Sequence, residues 1–158
     1  MPRSAKDQGH PVLETATFRR EEWPFHWITR TAGRYFQVMT VVLKPLDLDV
    51  AQWRVLMCLN EKVGLSISEI ADLCIIKLNT TTKIVQRMQA DGLVTCRPRK
   101  SDGRVTEARL TPKGKQLRIQ ARSRAEKVFA DAFEGLEPAQ VAAMNAALEH
   151  VFSRLDDL

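Results

Sequence analysis

The feature that most constrains this chain is a change of hydrophobic period at Gly92, punctuated on both sides. Before it lie two short segments of helical period. The first opens at Leu65-Ser66-Ile67-Ser68-Glu69-Ile70. There Ser66 can accept from the Glu69 amide while Glu69 reaches back, a capping box, and Leu65 is placed to staple against Ile70. The second takes Asn79 as its expected N-cap and runs from Thr80 to Ala90, with Ile84, Val85 and Met88 on one face and Lys83, Gln86, Arg87 and Gln89 on others. Asp91-Gly92-Leu93 closes it, because Gly92 can take the left-handed conformation and Leu93 can pack back on Met88. After Gly92 the pattern becomes that of strands: Val94 to Pro98 and Val105 to Leu110 are rich in β-branched residues, and between them Asp102-Gly103 is expected at a hairpin tip. Pro98 confines its strand to an edge or to the strand end.

Longer helices flank this middle. From Phe25 the positions Ile28, Ala32, Tyr35, Phe36, Met39, Val42 and Leu43 recur at three- and four-residue steps, ending before Lys44-Pro45. Asp49, with Gln52 three residues on, reads as the capping box of a further helix through Trp53, Leu56, Met57 and Leu59. Thr111-Pro112 supplies N-cap and first helical residue for a helix that stops near Gly135. Pro138 opens the last one, whose residues Val141, Met144, Leu148, Val151 and Leu155 form a seam suited to another helix. Helix, turn, helix and basic hairpin in this order make a winged helix-turn-helix, so the fold class is mainly α with a small β-wing.

Charge narrows the partners. The 158 residues carry a net charge of +5, but the segment from Lys77 to Arg122 holds twelve Lys and Arg against three Asp and Glu, an excess of nine that leaves −4 for the rest. A basic middle followed by an acidic C-terminal end suits a polyanion, although solvated helix faces also gather Lys and Arg. No apolar run approaches the ~18–20 residues of a membrane span, and the polar start from Met1 to Pro11 lacks the apolar stretch of a secretory signal, so a reducing cytoplasm is expected. Cys58, Cys74 and Cys96 are odd in number and far apart, and His10, His26 and His150 are scattered, so neither a disulfide framework nor a metal site is expected. No nucleophile-base pair, phosphate-binding Gly loop or paired carboxylate set points to an enzyme, and no cofactor is called for.

The residues around the hairpin resemble the MarR family of bacterial transcription regulators. Asp102-Gly103-Arg104, five residues, Leu110-Thr111, two residues and Gly114 meet every fixed position of that family's wing motif, with Gly92-Leu93-Val94 and Arg97-Pro98 before it. Gln52-Trp53-Arg54-Val55-Leu56 and Ile70-Ala71 sit where the family has its second and third helices, so the resemblance extends from about Phe25 to the C-terminus. It implies a homodimer without enzymatic activity. An N-terminal tail (1–24) would precede N- and C-terminal dimerisation helices (25–46 and 112–158), which flank a winged helix-turn-helix DNA-binding domain (47–111). It also implies double-stranded DNA as partner, on a pseudo-palindromic operator, with repression relieved by a small aromatic acid or phenolic effector. The alternatives are a DNA-binding or protein-interaction module without a sensor, and a cysteine-based redox sensor.

Thr80, Thr81, Thr82 and Lys83 fall in the first turn of the recognition helix, where hydroxyls can bond bases or phosphates and Thr methyls can meet thymine. Gln86 and Arg87 follow one turn later, Arg87 for guanine or, by preference, phosphate. The resemblance assigns Arg104 to the minor groove and Asp102 to an arginine that steadies the wing; Arg97, Arg99 and Lys100 are then phosphate contacts or that arginine. Gly103 stands where many relatives have a second arginine. The plainer alternative makes Asp102-Gly103 a turn and Arg104 a solvated charge. For the effector, the first helix offers His26, Trp27, Arg30 and Arg34 and the second Trp53 and Met57, aromatic surface with cations. The bland alternative makes Trp27 and Trp53 core and lets the arginines lie along the interface. Cys58 and Cys74, in apolar helical contexts, are expected to act as small buried hydrophobes, and Cys96, in the wing strand, to have a structural role as well.

Overall fold

The computed structural model describes residues 19–59 and 64–158, so most of the expected N-terminal tail, with His10, lies outside the described residues. The chain divides into two units, residues 1–38 and 39–158. In the first, a 3-10 turn at Arg20–Glu22 leads into α1 (Pro24–Leu43), whose last residues from Met39 belong to the second unit. Trp27 ties turn to helix, its indole Nε1 donating to the Glu21 carbonyl at 2.9 Å.

The second unit continues through a 3-10 turn at Lys44–Leu46 into α2 (Val50–Cys58). Then come β1 (Leu65–Ser66), α3 (Ile67–Cys74), α4 (Leu78–Ala90), β2 (Val94–Arg99), β3 (Asp102–Leu110), α5 (Pro112–Ala132) and α6 (Pro138–Asp156). Both expected capping boxes are present, Asp49 with Gln52 and Ser66 with Glu69. Each satisfies amides that the first helical turn leaves without partners. Gly92 has φ +72°, and the Leu93 amide donates to the Met88 carbonyl at 2.9 Å while that of Gly92 donates to Gln89 at 3.0 Å, the paired bonds of a Schellman motif.

The sheet has three strands where the sequence suggested two. In the order β1-β3-β2, Leu65 and Ser66 pair antiparallel with Ala108 and Glu107, so Ser66 both caps α3 and ends a strand. A two-residue strand is too short to show a period. The hairpin tip also differs: the turn is Lys100-Ser101, and Asp102 and Gly103 already belong to β3, with Arg99 opposite Asp102 after an irregularity at Pro98. Pro98 lies on the edge strand β2, where its missing N–H is tolerated.

One core fills the second unit. Met39 and Leu43 of α1 join Val55, Leu56, Ile70, Val85, Met88 and Val94, all fully or almost fully buried. The Leu-Thr-x-x-Gly stretch has a physical reason here. The Thr111 amide donates to the Leu93 carbonyl at 3.0 Å, its hydroxyl donates to the Gly92 carbonyl at 2.7 Å and accepts from the Gly114 amide at 3.0 Å, and a Cβ on buried Gly114 would collide with the Leu93 carbonyl oxygen. The end of α4 and the start of α5 are thereby locked together. By contrast α6 buries no residue, and Met144, Leu148, Phe152 and Leu155 stand exposed along it.

Candidate nucleic-acid interface

Between α3 and α4 the chain turns through Ile75, which adopts the left-handed region at φ 49°, uncommon for a β-branched residue. Its amide donates to Asp72 and that of Ile76 to Ala71, so the turn is complete by Lys77 and the helix starts at Leu78. Asn79 is therefore inside α4, and Lys77 takes the N-cap position without a side-chain bond.

Outward from α4 point Asn79, Thr80, Lys83, Gln86 and Arg87, all exposed, with Thr82 partly covered and its hydroxyl donating to the Leu78 carbonyl at 2.9 Å. Thr81 is different: it is completely buried and its hydroxyl donates to the Lys77 carbonyl at 3.2 Å. It faces the core and cannot present its side chain to a base, which corrects its place among the reading residues. The spacing held that signal, since Thr81, Ile84, Val85 and Met88 share one helical face. Arg87 is paired with Asp49, the N-cap of α2. This guanidinium anchors α4 to α2, and a new partner must compete with a carboxylate.

On the wing, Arg104 is 92% exposed at its side chain, and Asp102 presents it. The Asp102 carboxylate accepts from the Arg104 backbone amide at 3.1 Å and from its guanidinium at 3.2 Å, and these two bonds hold its pKa below the ordinary carboxylate value. The arginine that steadies Asp102 is thus Arg104 itself, two residues away. Arg99 is engaged elsewhere, bonding Glu69 of α3 at 2.5 Å and Glu107 of β3 at 3.3 Å. Its guanidinium, followed by the Ser66 amide, draws the Glu69 pKa down to about 2. Glu107, buried, is held low by Arg109 first and by Arg99 second. Arg99 is therefore a clamp between wing and α3, while Arg97 and Lys100 remain exposed. Glu69 reads in sequence only as a capping residue; its partner lies 30 residues on and leaves no local pattern.

The candidate effector residues are dispersed. In the first unit His26 is half-buried with its ring edge-on to Trp27, while Trp27, Arg30 and Arg34 are exposed. In the second unit Trp53 belongs to the core and Met57 packs against it. An open groove of ≈ 610 Å³ in the second unit is lined by Val42, Leu46 and residues of α5 that include Arg124 and Lys127, and none of the six candidates lines it. Cys74 belongs to the core and Cys58 packs against it, and the two meet with Sγ atoms 3.2 Å apart. Among the described residues no group of three His, Cys, Asp or Glu could hold a metal, and no helix is long and apolar enough to cross a membrane.

Comparison with known proteins decides the family. The MarR family model matches residues 48–106, which take in α2, α3, α4 and most of the wing. The transcriptional repressor IacR of Pseudomonas putida is 46% identical over 153 residues, covering 96% of this chain and 92% of that protein. The chain belongs to the MarR family. Two solved structures share the fold of this MarR-family chain. BpsR of Bordetella bronchiseptica, whose DNA binding is regulated by 6-hydroxynicotinic acid, superposes with a TM-score of 0.74 at 24% identity over 85% of this chain and 96% of that one. CouR of Rhodococcus jostii RHA1, solved bound to p-coumaroyl-CoA, gives 0.78 at 22% identity over 85% and 95%. This MarR-family chain is a DNA-binding transcription regulator with a winged helix.

Proposed function

We propose that the chain acts as a homodimeric repressor of a pseudo-palindromic operator and that a small aromatic acid or phenol releases it. The observation that carries this reading is the pairing of two exposed elements: the outer face of α4, with Thr80, Lys83 and Gln86, and the wing with Arg104 held out by Asp102. A helix of that character fits the major groove, and an arginine on a hairpin tip fits the electronegative minor groove beside it. Thr82, Arg97 and Lys100 add phosphate contacts, and Arg87 joins them only by leaving Asp49. Arg99 and Asp102 act indirectly, by fixing the wing.

The unburied seam of α6 supports the dimer, since exposed apolar residues at helical spacing call for a partner helix. Two-fold symmetry then sets two α4 helices about one turn of B-DNA apart. The effector class follows BpsR and CouR, whose ligands are an aromatic acid and a phenolic acyl thioester. In this chain Trp27 offers exposed ring surface and Arg30 and Arg34 offer cations for a carboxylate, with His26 beside them, whereas Trp53 is committed to the core. Coupling requires only that the effector bind the DNA-incompetent shape more tightly.

Selection from random duplexes tests the proposal. The expected result is enrichment of a pseudo-palindrome bound at least ~10³-fold more tightly than random DNA, with affinity falling steeply as salt rises. Affinity indifferent to sequence would refute operator recognition. On the selected duplex, an aromatic acid that leaves both melting temperature and DNA release unchanged at millimolar concentration would refute the sensor.

A further inference from the structure

The ends of α2 and α3 bring together two thiols that DNA reading does not use. Cys58 is the last residue of α2 and half-buried, Cys74 is the last of α3 and buried, and their sulfurs lie 3.2 Å apart although sixteen residues separate them. A small apolar residue at either position would fill the same space, so packing alone gives no reason for two sulfurs in contact. Either sulfur can donate in this contact; donation by the Cys74 thiol favours a Cys58 thiolate, which burial opposes and the Arg54 guanidinium, one turn earlier on α2, supports. The Cys58 thiol is drawn down to about 7, and that of Cys74 is pushed up by its bond to Cys58 and by burial. Arg54 also donates to the Cys74 carbonyl and so spans the two helix ends. Cys96, on β2, is pushed up by burial.

We propose that Cys58 and Cys74 form a modification site that hydroperoxides convert to an intrachain disulfide. The Cys58 thiolate attacks one peroxide oxygen, the O–O bond breaks, and hydroxide or alkoxide leaves and takes up a proton; Cys58 becomes a sulfenic acid. Cys74 then attacks the Cys58 sulfur, the S–O bond breaks, and the departing hydroxide takes the Cys74 proton and leaves as water. Two thiols are oxidised, one peroxide is reduced, and the products are a disulfide, one water and a second water or an alcohol. The sulfurs must close to about 2.05 Å, roughly 1.2 Å nearer than they stand. That pull falls on the residue before Ile75, whose left-handed turn launches α4. Through this turn the disulfide displaces the reading helix and weakens DNA binding, a consequence that rests on the operator reading above.

The test treats the reduced full-length protein with hydrogen peroxide and maps it by intact mass and peptide analysis. The expected result is a loss of two hydrogens and a cross-linked peptide pair holding Cys58 and Cys74, reversed by dithiothreitol, retained in Cys96→Ser and abolished in Cys58→Ser. A cross-link to Cys96, a cross-link between chains, or overoxidation of Cys58 without any cross-link would overturn the site. Should a substitution at the buried Cys74 prevent folding, alkylation of Cys58 in the unaltered protein decides instead: its rate should rise through a midpoint near pH 7, and a midpoint near 9 would contradict the thiol pair. On the selected operator, anisotropy should show the oxidised form binding at least ~10-fold more weakly, with recovery on reduction. A mapped disulfide with unchanged affinity would refute the coupling to α4. Failure of the reduced protein to bind any operator would refute the operator reading and leave the mass result standing.

Discussion

Replacing Gly114 by alanine should unfold the link between the end of α4 and the start of α5, although alanine is the better helix former. A methyl at this position meets the Leu93 carbonyl oxygen and carbon and comes to 3.3 Å from the Leu110 side chain, so α5 must retreat by about 1 Å. That same carbonyl oxygen accepts the Thr111 amide and, at 3.2 Å, can accept its hydroxyl. Overpacking costs about 1–3 kcal/mol, a weakened hydrogen bond about 1, and the helix gains about 1 from losing glycine, which leaves a net loss of about 2 kcal/mol. For a chain of this size that lowers Tm by roughly 4–8 °C. The assay is thermal unfolding by circular dichroism at one fixed protein concentration, because self-association makes Tm depend on it. Gly33→Ala is the control: Gly33 sits exposed inside α1 with nothing near its Cβ position, so alanine there should raise stability by up to about 1 kcal/mol. A Gly114→Ala protein that melts at or above the wild-type temperature would refute the close-approach argument.

Three further outcomes are expected. Gly103→Arg, at an open position of the wing with no positive φ, should strengthen operator binding and steepen its log–log salt dependence by about one unit; an unchanged slope would mean that the wing lies off the backbone. Thr81→Val should lower stability while leaving operator sequence preference intact, and Thr80→Ala should do the reverse, weakening binding by about 1 kcal/mol; a changed preference in the Thr81 variant would contradict its burial. Glu69, drawn to about 2 by Arg99, is ionised in the folded chain at pH 3 while the unfolded chain is largely protonated, so the unfolded state binds more protons and stability falls with pH from about 4.5 toward 2. Urea midpoints at pH 3 and pH 6 should converge in Arg99→Gln, and an equal pH dependence in both proteins would count against the Arg99 clamp.

The interactions legible in the sequence are the short-range ones. Asp49 with Gln52, Ser66 with Glu69, Thr111 with Gly114 and the Gly92 stop are all set by residues three to five apart, and each was found where its pattern placed it. What escaped the sequence depends on tertiary structure. β1 exists because β3 offers it an edge, and Ile75 enters the left-handed region because α3 and α4 pack, in place of the glycine that local preference would choose. The same holds for the ion pairs. The sequence reads Arg99 as a phosphate contact or the partner of Asp102 and Arg87 as a phosphate or guanine contact, but the carboxylates they pair with lie 30 and 38 residues away. Cys58 and Cys74 form no spacing motif, and only the packing of α2 on α3 brings their sulfurs together.

Hydroxyl-radical footprinting of the selected operator, with wild-type protein and Arg104→Ala side by side, tests most directly whether α4 and the wing divide the reading of DNA between them. The expected wild-type pattern is two protected windows about one helical turn apart, with further protection where the flanking minor grooves face the protein. Arg104→Ala should keep the two central windows, lose the flanking protection and bind roughly 5- to 150-fold more weakly, the range for removing one good groove contact. Identical footprints and affinities for the two proteins would contradict the assignment of Arg104 and the wing to DNA.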